Sequence, residues 1–576
     1  MLKSLSLKII CQNGRELKTL RLRNLKTALN EPFFLSKDLI YFLHSGLSVY
    51  NYVRKLITAP ARKQVLKMKF PFMFVTLLVL FCLQQDLVRN AIAKAASVTI
   101  TSLQAEQKEG RLHLMFSSSM EQEPRLYNAW PTKDIEPLFS RDLAGLSNGQ
   151  TITFDASTKG FPFDSLADVP AGKWYVQAIY DSDFLDSRIN SPLNVYSDVV
   201  EFVNDGSSDI SLTLSLNRRL PEETLPDGDK FLKFVKMPSR ILSEFWSADM
   251  YLRAGVILPN SYYENPLKDF PVIFNIGGYQ ARYNRAESLY QNEAFRKFWL
   301  TPDTPQMVIV FLDGEAPLGD SYQIDSANNG PYGQATWQEF LPYLTNQFNL
   351  ADNANSRFVT GCSTGGWVSL ALQTYYPDLF NGAWSFSADG VDFKYFQLVN
   401  IYNDDNAFIN ENGQQRPSYR AKDGEIIFSI KREIMMENQI GRNDSFAYSG
   451  GQWGGWNAVF GPKLEDGSPS TIWDPLTGKI DKDIAEQWTQ FDLRLYTEKN
   501  WLLLGPKLQG KLNIWMGDMD NFYLNNAMHL YQEMLNTQKE PASDAKFTWV
   551  RGAGHCDYEQ VPMLQKIMLQ MQQRLP

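Results

Sequence analysis

A serine stands between two glycines in a setting that could expose it as a nucleophile. The run RFVTGCSTGGWVSL, residues 357–370, predicts a short apolar strand, a tight turn and a following helix. Gly361 and Gly365 lie two positions on either side of Ser363, where larger side chains would collide with the neighbouring strand and helix. The pattern predicts Ser363 as a nucleophile presented at the tip of the turn. A plain strand-to-helix connection is the alternative.

A serine hydroxyl is a weak nucleophile until a base takes its proton, and histidine is the usual base. His555 lies in the loop RGAGHCDYE, which follows the apolar run AKFTWV near the C-terminus. His113 alternates within a predicted strand, and His529 lies in the helix-like segment LNNAMHLYQ. We expect His555 to be the base, His113 to have a packed or surface role and His529 to lie on a helix surface. A loop histidine without a role is the alternative for His555.

The base needs a carboxylate that fixes its tautomer and stabilises the imidazolium. Asp518 and Asp520 follow the apolar run KLNIWMG. We favour Asp520, because there the chain has left the strand and can turn back to the histidine loop. Asp389 and Asp392, after the run GAWSFSA, are a third option. Capping of the next helix is the alternative role for either of the first two.

An oxyanion requires two N–H donors that point at it. Thr364 follows the serine at the start of the predicted helix, where the helix dipole also favours negative charge. The second donor is expected from the glycine-rich loop after the run PVIFN, with Tyr279 first and Gly278 next. A simple glycine-rich turn is the alternative for that loop.

Two cysteines flank the candidate residues. Cys362 precedes Ser363, and Cys556 follows His555. Because the central residue of the turn is the serine, Cys362 points away and the nucleophile is serine. The two positions suggest a disulfide that joins both loops, with two unpaired buried thiols as the alternative.

The elements that must position these residues follow two patterns. Residues 97–220 alternate apolar and polar positions between turn clusters, which is typical of an all-β sandwich. From residue 231 onward, short apolar runs alternate with amphipathic stretches such as 334–348 and 524–538. That alternation predicts an α/β segment whose mostly parallel sheet is covered on both faces.

An insertion interrupts the second pattern. Residues 397–508 are rich in Asn, Gly and Trp and are interpreted as a cap inserted after the strand that follows the serine turn. Trp453 and Trp456 are expected to shape an aromatic or sugar-compatible pocket. A packed core position is the alternative for either tryptophan.

Charge is distributed unevenly along the 576 residues, a length that implies two or more domains. Residues 1–95 contain 16 Lys and Arg against 4 Asp and Glu, so the remaining chain has 40 against 60. An acidic body without a basic stripe argues against a nucleic-acid partner. The few histidines form no ligand cluster, so neither a metal nor an organic cofactor is expected.

Residues 68–95 have the features of a secretory signal peptide. Lysines flank Met68, a 14-residue apolar run ends at Leu83, and an Ala-x-Ala site ends at Ala95. Residues 1–67 are then a basic extension or a mis-assigned start, and an uncleaved signal anchor is the alternative. The leader predicts an exported protein, periplasmic or secreted, with transient membrane contact through the signal. Export would put the remaining cysteines in an oxidising compartment.

Several segments between residues 232 and 576 resemble the "Putative esterase" family, the relatives of esterase D and enterochelin esterase. They are GVILPNSYYENPLKDFPVIFNIGGY, GDSYQIDSANNGPYGQATWQEFLPYL, GCSTGGWVSLALQTYYPDLFNGAWSFSADGVDF, QWGGWNAVFGP and GDMDNFYLNNA. The resemblance implies an α/β-hydrolase fold with an inserted cap, preceded by an all-β, Ig-like sandwich domain. It also implies a triad of Ser363, Asp520 and His555. This chain has Gly277 where the family's oxyanion strand is expected to carry histidine, which bears on pocket shape.

The motif GCSTGG, together with His555 and Cys556, resembles the signature of tannases and feruloyl esterases. In those proteins, cysteines beside the serine and the histidine form a disulfide. The resemblance therefore supports a bond between Cys362 and Cys556.

The sequence as a whole predicts an exported serine hydrolase that cleaves a small-molecule or glycan-linked carboxylic ester. In this interpretation His555 deprotonates Ser363, the serine attacks the carbonyl, and water releases the acyl-enzyme. An acyltransferase or a peptidase on the same fold is the alternative within enzymes. A non-catalytic glycan-binding or scaffold protein is the alternative outside them.

Overall fold

The computed structural model describes residues 5–7, 20–22, 95–104, 106, 108–126, 136–264 and 267–576. The chain forms two compact units, residues 1–93 and 94–576. In the first unit, strand β1 (Leu5–Leu7) pairs antiparallel with β2 (Leu20–Leu22). The predicted signal peptide, apart from its last residue, lies outside the described residues, as does most of the predicted extension. No described helix combines the length and apolar character needed to span a membrane.

In the first part of the second unit, the described residues form strands, with two short 3-10 turns between them. Its strands are β3 (Ala96–Ser102), β4 (Gly110–Ser117), β5 (Leu138–Leu143), β6 (Thr151–Asp155), β7 (Gly160–Phe161), β8 (Gly172–Asp181), β9 (Val195–Ser197), β10 (Val200–Asn204) and β11 (Ile210–Arg219). They form one nine-stranded sheet in the order β6-β3-β11-β9-β8-β4-β5-β7, and β10 also pairs with β8. The β3–β11 pair is parallel, and the others are antiparallel.

This continuous sheet differs from the two separate sheets of the predicted Ig-like sandwich. Strand β9 pairs with β8 through Tyr196 and with β11 through Ser197, so it joins the two halves by hydrogen bonds. The halves enclose one apolar core that includes Val98, Leu112 and Val176. Alternation in a sequence shows which side chains face a core, but it does not show whether two sheet halves share a strand.

The β-rich segment and the following α/β segment pack together within the unit 94–576. The predicted boundary between residues 220 and 231 falls in a stretch without helix or strand. Across it, Met115 and Ile179 share a small apolar cluster with Met436 and Ile440. The buried Arg111 donates through Nε to the Gln439 carbonyl at 3.1 Å. These contacts place one face of the β-rich segment against the insertion of the α/β segment.

The α/β segment is organised around an eight-stranded sheet. Its strands are β12 (Leu232–Pro238), β13 (Tyr251–Ile257), β14 (Val272–Ile276), β15 (Val308–Leu312), β20 (Arg357–Cys362), β21 (Ala383–Phe386), β24 (Leu512–Gly517) and β25 (Lys546–Val550). Three two-stranded pairs complete the set: β16 (Glu315–Ala316) with β17 (Gly319–Asp320), β18 (Asp325–Ser326) with β19 (Gly330–Pro331), and β22 (Pro417–Arg420) with β23 (Ile426–Ser429). The main order is β12-β13-β15-β14-β20-β21-β24-β25, parallel from β15 onward.

The helices are α1 (Arg240–Trp246), α2 (Arg285–Gln291), α3 (Glu293–Trp299), α4 (Leu341–Phe348), α5 (Thr364–Tyr375), α6 (Ile430–Ile440), α7 (Gln452–Phe460), α8 (Lys482–Gln487), α9 (Leu493–Lys499), α10 (Trp501–Leu508), α11 (Asn525–Thr537) and α12 (Gln560–Gln572). A helical turn (Tyr332–Gln334) and a π-helical turn (Ala335–Phe340) lead into α4. Helices α4, α5 and α11 contribute to the core on one face of the sheet, and α2, α3 and α12 to the core on the other. Burial on both faces explains the continuous apolar runs of the parallel strands.

The predicted cap lies between β21 and β24. It contains the β22–β23 hairpin and helices α6 to α10. Its aromatic side chains, including Trp453, Phe460 and Trp488, belong to the same core as one face of the sheet. The insertion is therefore packed directly on the end of the sheet from which the serine turn emerges.

Candidate active site

Ser363 occupies the turn between β20 and α5. Its backbone has φ 61° and ψ −126°, a strained conformation for a residue other than glycine. A Cβ built on Gly361 or Gly365 would lie 2.5 or 2.2 Å from the Ile276 carbonyl oxygen. The two glycines thus allow β14 to approach the turn. This arrangement puts the serine at the carboxyl edge of the parallel strands, where ligands of open α/β sheets bind.

His555 and Asp520 are brought together by the loops that follow β25 and β24. His555 Nδ1 lies 2.7 Å from Asp520 Oδ2, and the Asp520 side chain is fully buried. Asp520 Oδ1 accepts the backbone N–H groups of Phe522 at 2.9 Å and Leu524 at 3.3 Å. The backbone N–H of His555 donates to Asn521 Oδ1 at 2.8 Å. Both members of the pair are therefore held by contacts with the loop after β24 before any substrate binds.

The other carboxylates considered from the sequence have different partners. Asp518 Oδ1 accepts the Gly552 backbone N–H at 2.7 Å, which closes the turn after β25. Asp392 forms a buried ion pair with Arg494. Neither contacts His555, so the structure pairs the histidine with Asp520.

The remaining described histidines have structural surroundings. His113 is buried in β4 with Nδ1 2.8 Å from Ser140 Oγ. Burial, helped by the Arg111 charge, lowers the pKa of His113 to about 3. His529 is exposed on α11, where its ring stacks on Trp549 at 3.9 Å. A packed role for the first and a helix-surface role for the second agree with the sequence prediction.

Two carboxylates act on the basicity of His555. Burial alone lowers its pKa, but the charge and hydrogen bond of Asp520, with the charge of Asp389, outweigh burial and raise the pKa above 6.5. The neutral imidazole, which can accept a proton, therefore predominates only above this raised pKa. We predict that kcat/KM for an ester rises with pH through an apparent pKa above 6.5. An acid limb at or below 6.5 in a pH–rate profile would contradict this prediction.

A disulfide joins the two loops. Cys362 and Cys556 are bonded, with Cα atoms 6.1 Å apart and 194 positions between them in sequence. It ties the residue before the serine to the residue after the histidine, as the sequence suggested. Closure of so long a loop lowers the entropy of the unfolded chain.

Loss of this bond should destabilise the fold. For the double substitution Cys362→Ser and Cys556→Ser we expect the unfolding free energy to fall by up to about 5 kcal/mol on the chain-entropy estimate. Denaturant titration of both proteins measures the difference. A reducing agent should lower the midpoint of the native protein and leave that of the double variant unchanged; equal midpoints without reductant would refute the prediction.

A cavity of about 510 Å³ contains both Ser363 and His555 in its wall. The other lining residues are Gly278, Tyr279, Gln280, Cys362, Asp389, Tyr419, Gln452, Trp456, Asn521, Phe522, Leu524 and Cys556. A Cβ on Gly278 would lie 3.4 Å from Ser363 Cβ, so the predicted oxyanion loop runs beside the nucleophile. Thr364 is the first residue of α5, where a backbone N–H has no partner within the helix. The candidate donors thus border the serine, as the prediction requires.

The two cap tryptophans differ in position. Trp456 lines the cavity, whereas Trp453 is buried behind it and donates to Glu433 Oε2 at 2.7 Å. The prediction that both shape the pocket is therefore correct for Trp456 alone. Sequence reasoning did not anticipate Tyr419 and Phe522, whose rings complete an aromatic wall.

The sequence offered Asp389 only as a substitute partner for the histidine, and its position differs from that expectation. It follows β21 and accepts the Ser363 hydroxyl on Oδ1 at 3.3 Å. Its place just beyond a parallel strand, at the same edge as the serine, was the available signal. Among the described residues, no group of three His, Cys, Asp or Glu side chains has the arrangement of a metal site.

Comparison with known proteins assigns the core of this segment. Residues 248–466 match the family model described as "Putative esterase". This match confirms the resemblance to the "Putative esterase" family that was found in the sequence. It also supports the α/β-hydrolase fold and the class of carboxylic ester hydrolases. No curated protein matches the chain.

Solved structures resemble part of the chain. A ferulic acid esterase is 14% identical and covers 60% of this chain and 100% of its own, with a TM-score of 0.39. Fluorophosphonate-binding serine hydrolase F of Staphylococcus aureus is 14% identical over 59% of this chain and 98% of its own, with a TM-score of 0.35. An S-formylglutathione hydrolase from Agrobacterium tumefaciens is 12% identical over 61% of this chain and 99% of its own, with a TM-score of 0.35. These identities and scores are too low to assign a substrate.

Proposed function

We propose that this protein is an exported serine esterase with a triad of Ser363, His555 and Asp520. The observation that carries the proposal is the His555–Asp520 pair at 2.7 Å, in the wall of the cavity that also contains the strained serine. An imidazole held in this way by a buried carboxylate has the correct tautomer to accept a hydroxyl proton on Nε2.

The proposed reaction proceeds in two halves. The Ser363 hydroxyl turns from Asp389 toward His555 Nε2, gives up its proton and attacks the ester carbonyl. The backbone N–H groups of Thr364 and Tyr279, or Gly278 in place of Tyr279, stabilise the oxyanion. The imidazolium then protonates the departing alcohol, and a water activated by the same imidazole releases the acid from the serine.

Two features support the wider setting of the proposal. The aromatic wall of Tyr279, Tyr419, Trp456 and Phe522 suits an ester with a flat or sugar-like group, whether small or linked to a glycan. The Cys362–Cys556 bond suits an oxidising compartment, which agrees with export by the leader predicted from the sequence.

Labelling with a fluorophosphonate probe tests the nucleophile. The native protein should become labelled with one equivalent of probe, and Ser363→Ala should remain unlabelled because it lacks the attacking oxygen. Ser157→Ala, which removes an exposed serine of the β-rich segment, serves as the control and should be labelled like the native protein. Label that persists in Ser363→Ala, located by peptide mass spectrometry elsewhere in the chain, would refute the proposal.

A further inference from the structure

Asp389 is a buried carboxylate in direct contact with the nucleophile. Asp389 is only 3% exposed to solvent. Oδ2 accepts the Tyr322 hydroxyl at 2.6 Å, the Thr364 hydroxyl at 3.0 Å and the Trp456 indole N–H at 3.0 Å. Among the described residues, the Ser363 hydroxyl alone donates to Oδ1, at 3.3 Å. The carboxylate is thus held rigidly on one oxygen and faces the reacting serine with the other.

These contacts favour the charged form of Asp389. A carboxylate can accept from several donors at once, and an indole N–H can only donate. Burial raises the pKa of Asp389 above its ordinary value, and the hydrogen bonds from Tyr322 and Trp456, the charge of His555 and the hydrogen bond from Thr364 offset only part of that rise. Hydrogen bonds to an ionised carboxylate are stronger than those to a neutral acid. The three donors fixed on Oδ2 therefore stabilise the charged form of Asp389 more than the neutral form.

The cavity offers no permanent positive charge to an anionic ligand. Its lining has no lysine or arginine, Asp389 is its one carboxylate, and His555 is its one basic side chain. A neighbouring cavity of about 280 Å³ shares Tyr279, Gln280 and Gln452 with it. That second cavity is also acidic, with Glu315, Asp320, Glu433 and Glu437 against Arg125 and Arg188. Burial raises the pKa of Glu433 to about 7 and those of the other three carboxyls to about 8, so this second cavity adds little negative charge near neutral pH.

The reaction changes the surroundings of Asp389 Oδ1. Once the Ser363 oxygen is acylated it no longer carries a hydrogen, so Oδ1 loses its donor. A buried carboxylate oxygen without a donor is costly, and a hydroxyl, amide or ammonium group of the substrate would restore the hydrogen bond. A carboxylate of the substrate in the same place would leave the oxygen without a donor and add repulsion between like charges.

We propose that Asp389 is a specificity-determining residue that selects esters with neutral or cationic groups beside the scissile bond and rejects those with a carboxylate there. The inference rests on the proposed serine mechanism, since it places the reacting bond at Ser363. Rejection by an unpaired like charge is an established source of specificity in proteins.

Three aryl acetates with a common acyl group test the proposal: 4-carbamoylphenyl acetate, 4-carboxylatophenyl acetate and 4-(trimethylammonio)phenyl acetate. Each kcat/KM is divided by the rate of alkaline hydrolysis of the same ester, which corrects for leaving-group reactivity. For the native protein we expect the anionic ester to be at least about tenfold poorer than the neutral one, and the cationic ester to be no poorer. Equal corrected values for the neutral and anionic esters would overturn the proposal.

The Asp389→Asn variant tests whether this side chain causes the discrimination. In this variant the corrected kcat/KM of the anionic ester should be within about threefold of the value for the neutral ester. Asp389→Ser gives the same measurement with a smaller polar residue should the asparagine variant fail to fold. Asp378→Asn removes an exposed carboxylate that pairs with Lys507, and it should leave the native ratio unchanged. If a folded Asp389 variant kept the neutral-to-anionic ratio of corrected kcat/KM of the native protein, the role of Asp389 would be overturned. Hydrolysis of the neutral ester that survives Ser363→Ala would instead contradict the proposed function.

Discussion

Replacing His555 with alanine is expected to lower kcat for a neutral aryl ester by about a millionfold. In the proposed mechanism, loss of the base leaves the serine hydroxyl without a proton acceptor, and in a serine hydrolase the removal of the serine or the histidine alone costs about as much as the removal of the whole triad. Asp389 also contacts the Ser363 hydroxyl, so this variant additionally tests whether that carboxylate can serve as the base. Steady-state kinetics at a pH above the raised pKa of His555 measure the effect.

His529→Ala is the matched control for this substitution. That imidazole is exposed on α11 and stacks on Trp549, away from the residues that line the cavity. Its removal should leave kcat within about twofold of the native value, since surface substitutions away from functional features have small effects. A His555→Ala protein that retained more than one-hundredth of native kcat would show that another group serves as the base.

Asp520→Asn is expected to lower kcat by about 10⁴-fold with little change in fold. The amide would present an N–H toward His555 Nδ1, so the imidazole would take the tautomer with its proton on Nε2 and could not accept one from serine. The side-chain oxygen that accepts the N–H groups of Phe522 and Leu524 would be retained, and the turn should therefore persist. The imidazolium would also lose its charged partner, so the acid limb of the pH profile should move to lower pH.

Asp518→Asn tests whether this loss is specific to one carboxylate of the GDMD segment. Asp518 accepts the Gly552 backbone N–H and lies two residues from Asp520 in sequence, so substitution alters the same loop without touching His555. We expect a change in kcat of no more than a few fold. Comparable losses in both variants would mean that loop geometry, and not the carboxylate on Nδ1, accounts for the effect.

The sequence alone determined the features that arise from short-range sterics and periodicity. The strand–turn–helix around Ser363 depends on Gly361 and Gly365, because a Cβ atom at either position would lie within 2.5 Å of the Ile276 carbonyl oxygen. Continuous apolar runs identified strands such as β14 and β20, whose side chains are buried on both faces of the sheet. The places of the acid and the histidine just after the apolar runs KLNIWMG and AKFTWV identified the candidate loops.

Only the tertiary structure decided which groups on those loops meet. Asp518 and Asp520 are indistinguishable by type and nearly so by position, and the choice between them depends on how the loop after β24 turns toward His555. Asp389 lies 26 residues from Ser363, and its contact with the hydroxyl exists because β20 and β21 are neighbours in the sheet. Strand β9 likewise joins two sheet halves through partners distant in sequence. Hydrogen bonds of this kind are set by the packing of whole elements against one another, which no local pattern of residues encodes.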